Sequence, residues 1–350
     1  MPGLRLRLLP VRSLLFSSLT FGIVFAGTAA HAQESYQIQD RWKIGGEGGW
    51  DYLKADPEAH LLYVTHATRV EVIDTNSGKV IHAITGLKGT HGIALEPKGK
   101  YGYISDGGGN VVVVFDRHSF ETVASIPAGT NPDGIAYEPV TNTVWAFNGR
   151  SHDATVIDVA TQKAIGTVSL PGKPEFPGAD GTGAVFANIE DKNEIVRIDA
   201  KSQQVTATWP LTGLESPSGL AVDAEHHRLF SVCDGNKMAV VDSQSGAVLA
   251  TPAIGDGPDA AGFDAKRQLA FSSNGDGTLT VVDARRKDYK VLQSLATQRG
   301  ARTMAFDSSN GRIYLAVAEL GPRPAATAAN PRPRPAVIPD SFTILVVGRK

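Results

Sequence analysis

Short runs of apolar and β-branched residues alternate with polar turns along most of the chain. In HGIALEPKGKYGYISDGGGNVVVVFD (91–116), an apolar strand is followed by an acidic turn, an aromatic-led strand, a glycine-rich loop and a Val-rich strand that ends in Asp. The same order occurs in 133–158, 218–242 and 259–283. Val, Ile, Tyr, Phe and Thr favour strands, and Gly, Pro, Asn and Asp favour the turns between them. The pattern therefore predicts an all-β protein.

This strand pattern repeats about every forty residues. Weaker copies begin at Asp51, Glu175 and Arg302, and a fourth strand such as ETVASIPAG (121–129) completes each unit. The seven units begin at positions 51, 91, 133, 175, 218, 259 and 302. Four strands per unit of this length is the period of a propeller blade. The sequence predicts a seven-bladed β-propeller of four-stranded antiparallel blades.

The two ends of the chain indicate how the ring closes. After 303–320, the seventh unit retains only SFTILVVGRK (341–350), which supplies a third strand and no fourth. SYQIQDRWKIGG (35–46) is a strand without a unit of its own. We expect this N-terminal strand to join the last blade as its outer strand, which leaves no open seam in the ring.

The first 32 residues follow a different pattern. Three arginines precede an apolar run at 14–26, and the small-residue motif AHA follows at 30–32. This order is typical of a secretory signal peptide, with cleavage near Ala32. A membrane anchor is the alternative, but the apolar run is short for a bilayer span. We expect a periplasmic or secreted protein without a membrane span after signal removal, its single propeller domain covering 33–350.

Composition narrows the class of partner. The chain has a formal net charge of −2, which becomes −5 when the signal peptide and its three arginines are removed. A mildly acidic exported protein is a poor candidate for phosphate-backbone contacts, so we expect no nucleic-acid partner. Cys233 is the only cysteine, which excludes an intramolecular disulfide and a cysteine zinc site. We expect a monomer.

The second strand of each unit carries a recurring four-residue motif. The segments are YVTH (63–66), YISD (103–106), WAFN (145–148), VFAN (185–188), FSVC (230–233), FSSN (271–274) and YLAV (314–317). They resemble the YVTN repeat, and residues 35–350 as a whole resemble the YncE-like exported bacterial β-propellers. The resemblance implies the fold and export. It implies little about activity, because that family is mostly without assigned chemistry and a fold does not fix a function.

Two acidic columns fall on the face formed by the turns after the first and third strands, which we call the bottom face. Carboxylates repeated in this way suit turn capping, because each side chain can accept nearby backbone N–H groups. One column is Asp56, Glu96, Glu138, Asp180, Asp223, Asp264 and Asp307, and the other is Asp74, Asp116, Asp158, Asp199, Asp242 and Asp283.

Two further columns fall on the opposite, top face, at the start of the innermost strand and at the end of the second strand. The first is Asp51, His91, Asp133, Glu175, Ser218, Asp259 and Arg302, and the second is His66, Asp106, Asn148, Asn188, Cys233, Asn274 and Val317. The residue type varies from blade to blade, which indicates a surface for an asymmetric ligand. All of these except Ser218, Cys233 and Val317 are predicted ligand-binding residues.

The first top column lies where the strands converge on the central channel. Two carboxylates about 6 Å apart repel by about 3 kcal/mol at an effective dielectric near 20. His91 and Arg302, raised carboxyl pKa values or a bound cation would offset this, unless water alone fills the channel mouth. Oxygen-rich ligands favour Ca²⁺ or Mg²⁺ over zinc. If a metal is bound, the predicted ligands are Asp133, Glu175, Asn148 and Asn188.

A Pro/Ala-rich insertion at 321–341 interrupts the seventh unit between its second and third strands. Its position predicts a loop on the top face, from which Arg323, Arg332 and Arg334 could reach the acidic mouth. One hypothesis is that it acts as a lid or a docking arm for a partner.

Two classes of function remain open. The first is an exported binding module that holds a small molecule or a protein on the top face, without predicted catalytic residues. The alternative is a divalent-metal-dependent hydrolase that resembles the propeller lactonases, in which an acidic central site holds a cation that polarises a lactone carbonyl. His91 or a carboxylate would then act as the base.

Overall fold

The computed structural model describes residues 1–4, 35–322, 324–327, 333 and 335–350. From residue 5 onward the predicted signal peptide lies outside these ranges, and so do the three arginines of the insertion. Among the described residues, no helix is long and apolar enough to cross a membrane.

In the described residues, twenty-eight strands form seven separate four-stranded antiparallel sheets, each of which is one blade. Blades one to three comprise β2 Trp50–Asp56, β3 Leu61–His66, β4 Arg69–Asp74, β5 Lys79–Ile84; β6 Thr90–Leu95, β7 Tyr101–Asp106, β8 Val111–Asp116, β9 Thr122–Pro127; and β10 Pro132–Glu138, β11 Thr143–Asn148, β12 Asp153–Asp158, β13 Lys163–Ser169. Blades four to six comprise β14 Pro174–Ala179, β15 Ala184–Ile189, β16 Glu194–Asp199, β17 Gln204–Pro210; β18 Leu220–Asp223, β19 Arg228–Cys233, β20 Lys237–Asp242, β21 Val248–Ala250; and β22 Pro258–Asp264, β23 Leu269–Asn274, β24 Thr278–Asp283, β25 Val291–Ala296. Blade seven comprises β26 Thr303–Asp307, β27 Arg312–Val317, β28 Thr343–Arg349 and β1 Tyr36–Lys43. The predicted all-β, seven-bladed fold is confirmed.

The N-terminal strand closes the ring as predicted. β1 pairs antiparallel with β28, in a register that runs from Tyr36 opposite Arg349 to Lys43 opposite Thr343. The Gln293 side chain also ties β1 to blade six, because it accepts a hydrogen bond from the Tyr36 N–H at 2.8 Å and donates one to the Tyr36 carbonyl at 2.9 Å. β1 and the C-terminal strand β28 are thus held in one blade.

The hydrophobic core consists of layers between neighbouring blades. Middle strands such as β3 are buried on both faces, and Leu62 and Val64 of blade one pack with Tyr314 and Ile344 of blade seven. A strand that is covered on both sides needs a continuous apolar run, which explains segments such as VVVVFD. Because every blade packs on two neighbours, the innermost strands are fixed around the channel.

Most carboxylates in the two acidic columns of the bottom face cap turns, as predicted. The Asp74 carboxylate accepts the N–H groups of Asn76 and Ser77 at 2.9 and 2.7 Å. Glu138 accepts those of Val140 and Thr141 at 2.9 and 2.8 Å. Equivalent bonds to Asp116, Asp158, Asp199 and Asp242 repeat this arrangement. These carboxylates are therefore structural.

Candidate functional site

The second residue of most innermost strands lies at the top end of the central channel, which we call the mouth. Neighbouring innermost strands contact one another around the ring, so these positions converge. Four of them are acidic: Asp51, Asp133, Glu175 and Asp259, the mouth carboxylates. The sequence located these positions because the repeats align and place them near the start of each innermost strand.

His91 joins the first two acids into a cluster. Its Nδ1 lies 2.7 Å from Asp51 Oδ2 and 3.8 Å from Asp133 Oδ1. The side chains of His91, Asp51 and Asp133 are 27 %, 25 % and 15 % exposed. One potential ligand atom from each lies within 4.8 Å of the others. Three residues from three blades thus form a half-buried group that a small ligand or a cation could reach.

The other mouth carboxylates also have cationic partners. Lys173 Nζ lies 2.5 Å from Glu175 Oε1 and contacts Glu190 as well. Arg302 Nη1 lies 3.2 Å from Asp259 Oδ2. Lys173 was missed by the sequence reasoning, although its place two residues before Glu175 was a signal for it. The repulsion between acids is thus offset partly by side chains of the same mouth.

The mouth shifts the pKa values of its own groups. Burial and the charge of Asp51 raise the pKa of Asp133 to about 7, against the opposing effect of His91. Burial and the charge of Asp133 raise the pKa of Glu175 to about 8, against Lys173. Burial alone would lower the pKa of His91, but its hydrogen bond to Asp51 and the nearby carboxylate charges raise it to about 9. At neutral pH the imidazole is therefore protonated.

Two aromatic rings lie one position further along the innermost strands. Tyr52 and Phe176 make an edge-to-face contact, with ring centroids 4.6 Å apart, although they come from blades one and four. Burial raises the pKa of the Tyr52 phenol well above its ordinary value, and all four mouth carboxylates raise it further. This pair therefore lies beside the mouth carboxylates inside the channel. The same position is Gly92, Gly134, Gly219, Ala260 or Thr303 in the other blades.

Most side chains of the second top column do not face the mouth but form hydrogen bonds within or between blades. Asp106, Asn148, Asn188 and Asn274 are buried and hydrogen-bonded to nearby chain. The partners are Lys88 N and Gly89 N for Asp106, Asp153 and Thr155 for Asn148, the Ser218 and Gly219 carbonyls for Asn188, and Thr278 and Thr280 for Asn274. The predicted metal set of Asp133, Glu175, Asn148 and Asn188 differs from the cluster of Asp51, His91 and Asp133. The Asn188 oxygen accepts the Ser231 hydroxyl at 2.9 Å, whereas the buried Asn148 oxygen has no hydrogen-bond partner among the described residues.

His66 lies apart from His91, at the junction of blades one and seven. Its ring packs on Phe342 with centroids 4.3 Å apart. Its Nδ1 lies 2.9 Å from Arg69 Nη2 and 3.3 Å from Glu71 Oε1. Within the described part of the chain, its buried Nε2 has no hydrogen-bond partner. The structure does not bring His66 into the mouth cluster.

A cavity of about 270 Å³ lies beside the mouth at Trp50 and Arg302. Its lining also includes Leu320, which precedes the insertion, and Pro335 and Val337 within it. Leu320 pairs with Val337 as a short antiparallel bridge. The described ends of the insertion therefore adjoin a mouth residue. The lid hypothesis depends on Arg323, Arg332 and Arg334, which lie outside the described residues.

The blades and the ring closure define a seven-bladed β-propeller, and the solved structures that it resembles have this fold. U3-55K matches with a TM-score of 0.73 at 11% identity, covering 89% of this chain and 98% of that chain. The WD40 repeats of RRP9 match with a TM-score of 0.73 at 10% identity, covering 89% and 97%. A chain of Kuenenia stuttgartiensis hydrazine synthase matches with a TM-score of 0.70 at 15% identity, covering 77% and 92%. No protein-family model and no curated protein matches the chain. At these identities the likeness shows the WD40-type propeller fold alone.

Proposed function

We propose that this chain is an exported, YncE-like binding module that holds its ligand at the channel mouth of the top face. The observation that carries the proposal is the half-buried cluster of Asp51, His91 and Asp133, assembled from three blades. The bottom columns show what a structural role looks like, namely one residue type repeated around the ring. The mouth lacks that repetition and concentrates groups with raised pKa values, which is typical of functional sites.

The chemistry of the mouth favours a ligand that is cationic or rich in hydroxyl groups. Carboxylate oxygens accept hydrogen bonds, and a carboxyl with a raised pKa, such as Glu175, can also donate one near neutral pH. A positive charge would relieve the repulsion among the mouth carboxylates. A small molecule, or one segment of a protein partner, fits a mouth of this kind.

Ca²⁺ or Mg²⁺ is the cofactor that this donor set fits best. Asp51 and Asp133 offer the carboxylate oxygens that hard cations prefer. His91 fits less well, because its Nδ1 is hydrogen-bonded to Asp51 and its raised pKa keeps it protonated at neutral pH. A cation would compete with that proton, so cation affinity should rise as pH increases toward 9.

Cation binding is tested by calorimetry and thermal unfolding of the wild type, Asp133→Asn and the control Glu225→Gln. Glu225 is an exposed carboxylate in a bottom turn. We expect Ca²⁺ or Mg²⁺ to raise the Tm of the wild type and of Glu225→Gln, and Asp133→Asn to bind at least tenfold more weakly, because one charged ligand is lost. An absent shift in the wild type, or an equal shift in Asp133→Asn, would refute the cation site.

The metal-dependent hydrolase is the second candidate, and the three potential ligand atoms within 4.8 Å favour it. A bound divalent cation would polarise a lactone carbonyl. Glu175 is the better base, because it loses its proton near pH 8 and His91 only near pH 9, so turnover should increase as pH rises through 8. A panel of lactones and sugar-acid lactones, assayed with and without EDTA, separates the two functions. Cation binding without turnover would reject the hydrolase and retain the binding module.

Export belongs to the same proposal, and it is tested independently of the mouth. We expect the mature protein in the periplasm or the medium, with an N-terminus just after Ala32. N-terminal sequencing of the fractionated protein measures this. A full-length cytoplasmic chain would contradict export without affecting the proposed ligand site.

A further inference from the structure

A second cavity lies on the bottom face, remote in the fold from the mouth. It has a volume of about 630 Å³ and lies between blades five and six. Arg228 and Leu249 of blade five contribute to its lining, with Ala284, Lys287 and Tyr289 of blade six. Cavities of a few hundred Å³ accommodate small organic molecules.

The turn that forms one side of this cavity departs from the repeat. Seven residues, ARRKDYK (284–290), separate β24 from β25, whereas four residues form the same turn in blades one, three and four. Arg285 is held by Asp283, with Nε 2.8 Å from Oδ1. Arg286 and Lys287 are exposed and form no ion pair among the residues that the structure describes. A turn that served only to connect strands would need neither the added length nor these two cations.

A buried guanidinium forms part of the cavity lining. The Arg228 side chain is only 10% exposed and donates to Asp223, Gln268 and the Ala284 carbonyl. Those bonds use four of the five N–H groups that a guanidinium offers. Its guanidinium carbon also lies 5.9 Å from the Tyr289 ring centroid. The lining thus combines a fixed guanidinium, whose charge Asp223 balances, with an aromatic ring.

Apolar surface completes the lining. Tyr289 and Ala284 are buried, and Leu249 of β21 is 46% exposed. Asp223 and Asp283 are paired with arginines. Two other carboxylates, Asp242 in the lining and Asp288 in the turn, form no ion pair with an arginine among the described residues. An anionic group is therefore favoured only at the Arg286–Lys287 side, and the remainder of a ligand would lie against apolar atoms.

We propose that this blade-five/blade-six cleft binds an amphipathic organic anion, in which an aromatic or acyl group carries a phosphate, sulfonate or carboxylate. The anionic group would lie at Arg286 and Lys287, and the apolar group against Leu249 and Tyr289. A cleft with cations at one side and apolar lining elsewhere orients such a ligand, because the anionic group and the apolar group each have only one favourable position. The cleft shares no residue with the mouth, so this proposal does not depend on the proposed function.

The test uses 8-anilino-1-naphthalenesulfonate, a fluorescent aromatic sulfonate, with the native protein. We expect saturable binding that weakens about tenfold in Arg286→Ala/Lys287→Ala, since two exposed cations contribute about threefold each. The control Lys79→Ala/Lys201→Ala removes two exposed cations from the corresponding β4–β5 and β16–β17 regions of blades one and four and should bind as the wild type does. None of these four side chains is buried, so the variants should fold.

Two further measurements separate the parts of the ligand. Leu249→Ser should weaken binding of the sulfonate probe, because it removes apolar contact surface. In a competition experiment, phenyl phosphate should displace the probe at a much lower concentration than inorganic phosphate or benzyl alcohol does. Non-saturable fluorescence, or equal affinity in the wild type and Arg286→Ala/Lys287→Ala, would overturn the proposal. Displacement by benzyl alcohol as effective as by phenyl phosphate would overturn the anionic requirement.

Discussion

At the scale of single residues, Asp133 is the mouth carboxylate on which opposing charges act: Asp51 raises its pKa and His91 lowers it. Its carboxylate lies 3.8 Å from His91 Nδ1 and is raised in pKa to about 7, chiefly by burial and by Asp51. The ionised form is thus less favourable in the folded chain than in water. A carboxylate of this kind can form an ionic interaction with a cationic ligand, but it lowers the stability of the folded chain while no ligand is bound.

This cost should depend on pH. A carboxyl whose folded pKa is raised binds its proton more tightly in the folded state, so stability falls as pH rises from about 4 to about 7. Asp133→Asn should therefore be more stable than the wild type at pH 8, by up to about 4 kcal/mol at about 1.4 kcal/mol per unit of pKa, with a smaller difference at pH 4. Urea unfolding at both pH values measures this.

Asp158→Asn is the control with the opposite sign. The Asp158 carboxylate accepts the side-chain hydroxyl and backbone N–H of Thr161, and these bonds hold its pKa below the ordinary value. Its stabilising effect is present at neutral pH and is lost as pH falls through that lowered pKa. Asp158→Asn should therefore destabilise the chain at pH 8. A loss of stability in Asp133→Asn at pH 8 would contradict the interpretation that the ionised Asp133 carboxylate destabilises the fold.

At the scale of elements, β1 is the strand on which the ring closure depends. Tyr36 is fully buried and contacts Phe271 of blade six edge-to-face, with ring centroids 5.4 Å apart. Removing a large buried side chain costs about 3–5 kcal/mol. We expect Tyr36→Ala to lower the free energy of unfolding by this amount, measured by denaturant titration, whereas the exposed Lys43→Ala on the same strand should change it by less than about 0.5 kcal/mol. Equal effects would exclude the closing role of Tyr36.

The sequence predicted the strands and blades well, but it did not predict which side chains from different blades contact one another. Turn residues and strand periodicity recur in every unit, so β1 and the seven blades followed from local pattern. The first top column followed too, because register alone places Asp51 and His91 at strand starts. The contact of Tyr52 with Phe176 joins blades one and four and has no local signature. Local sequence does not fix the direction of an amide at a strand end, and the Asn188 amide donates to the Ser218 and Gly219 carbonyls of the next blade.

At the scale of the whole molecule, the closed ring makes the blades depend on one another. Open repeat arrays are stabilised by nearest-neighbour contacts, and their terminal units fray. Here β1 and β28 come from opposite ends of the chain, so neither blade one nor blade seven is terminal. The structure is therefore expected to unfold as one cooperative unit when β1 is in place.

Opening the ring should localise the loss of stability. A chain that begins at Ile44 lacks β1 and leaves the edge of β28 unpaired. In hydrogen exchange, we expect the amides of β26–β28 and β2–β5 to lose protection first, whereas β14–β17 on the far side of the ring keep theirs. Local opening is expected where few buried contacts remain. Uniform loss of protection in all seven blades would show instead that the propeller cannot exist without its closing strand, and unchanged protection would show that β1 does not hold the ring together.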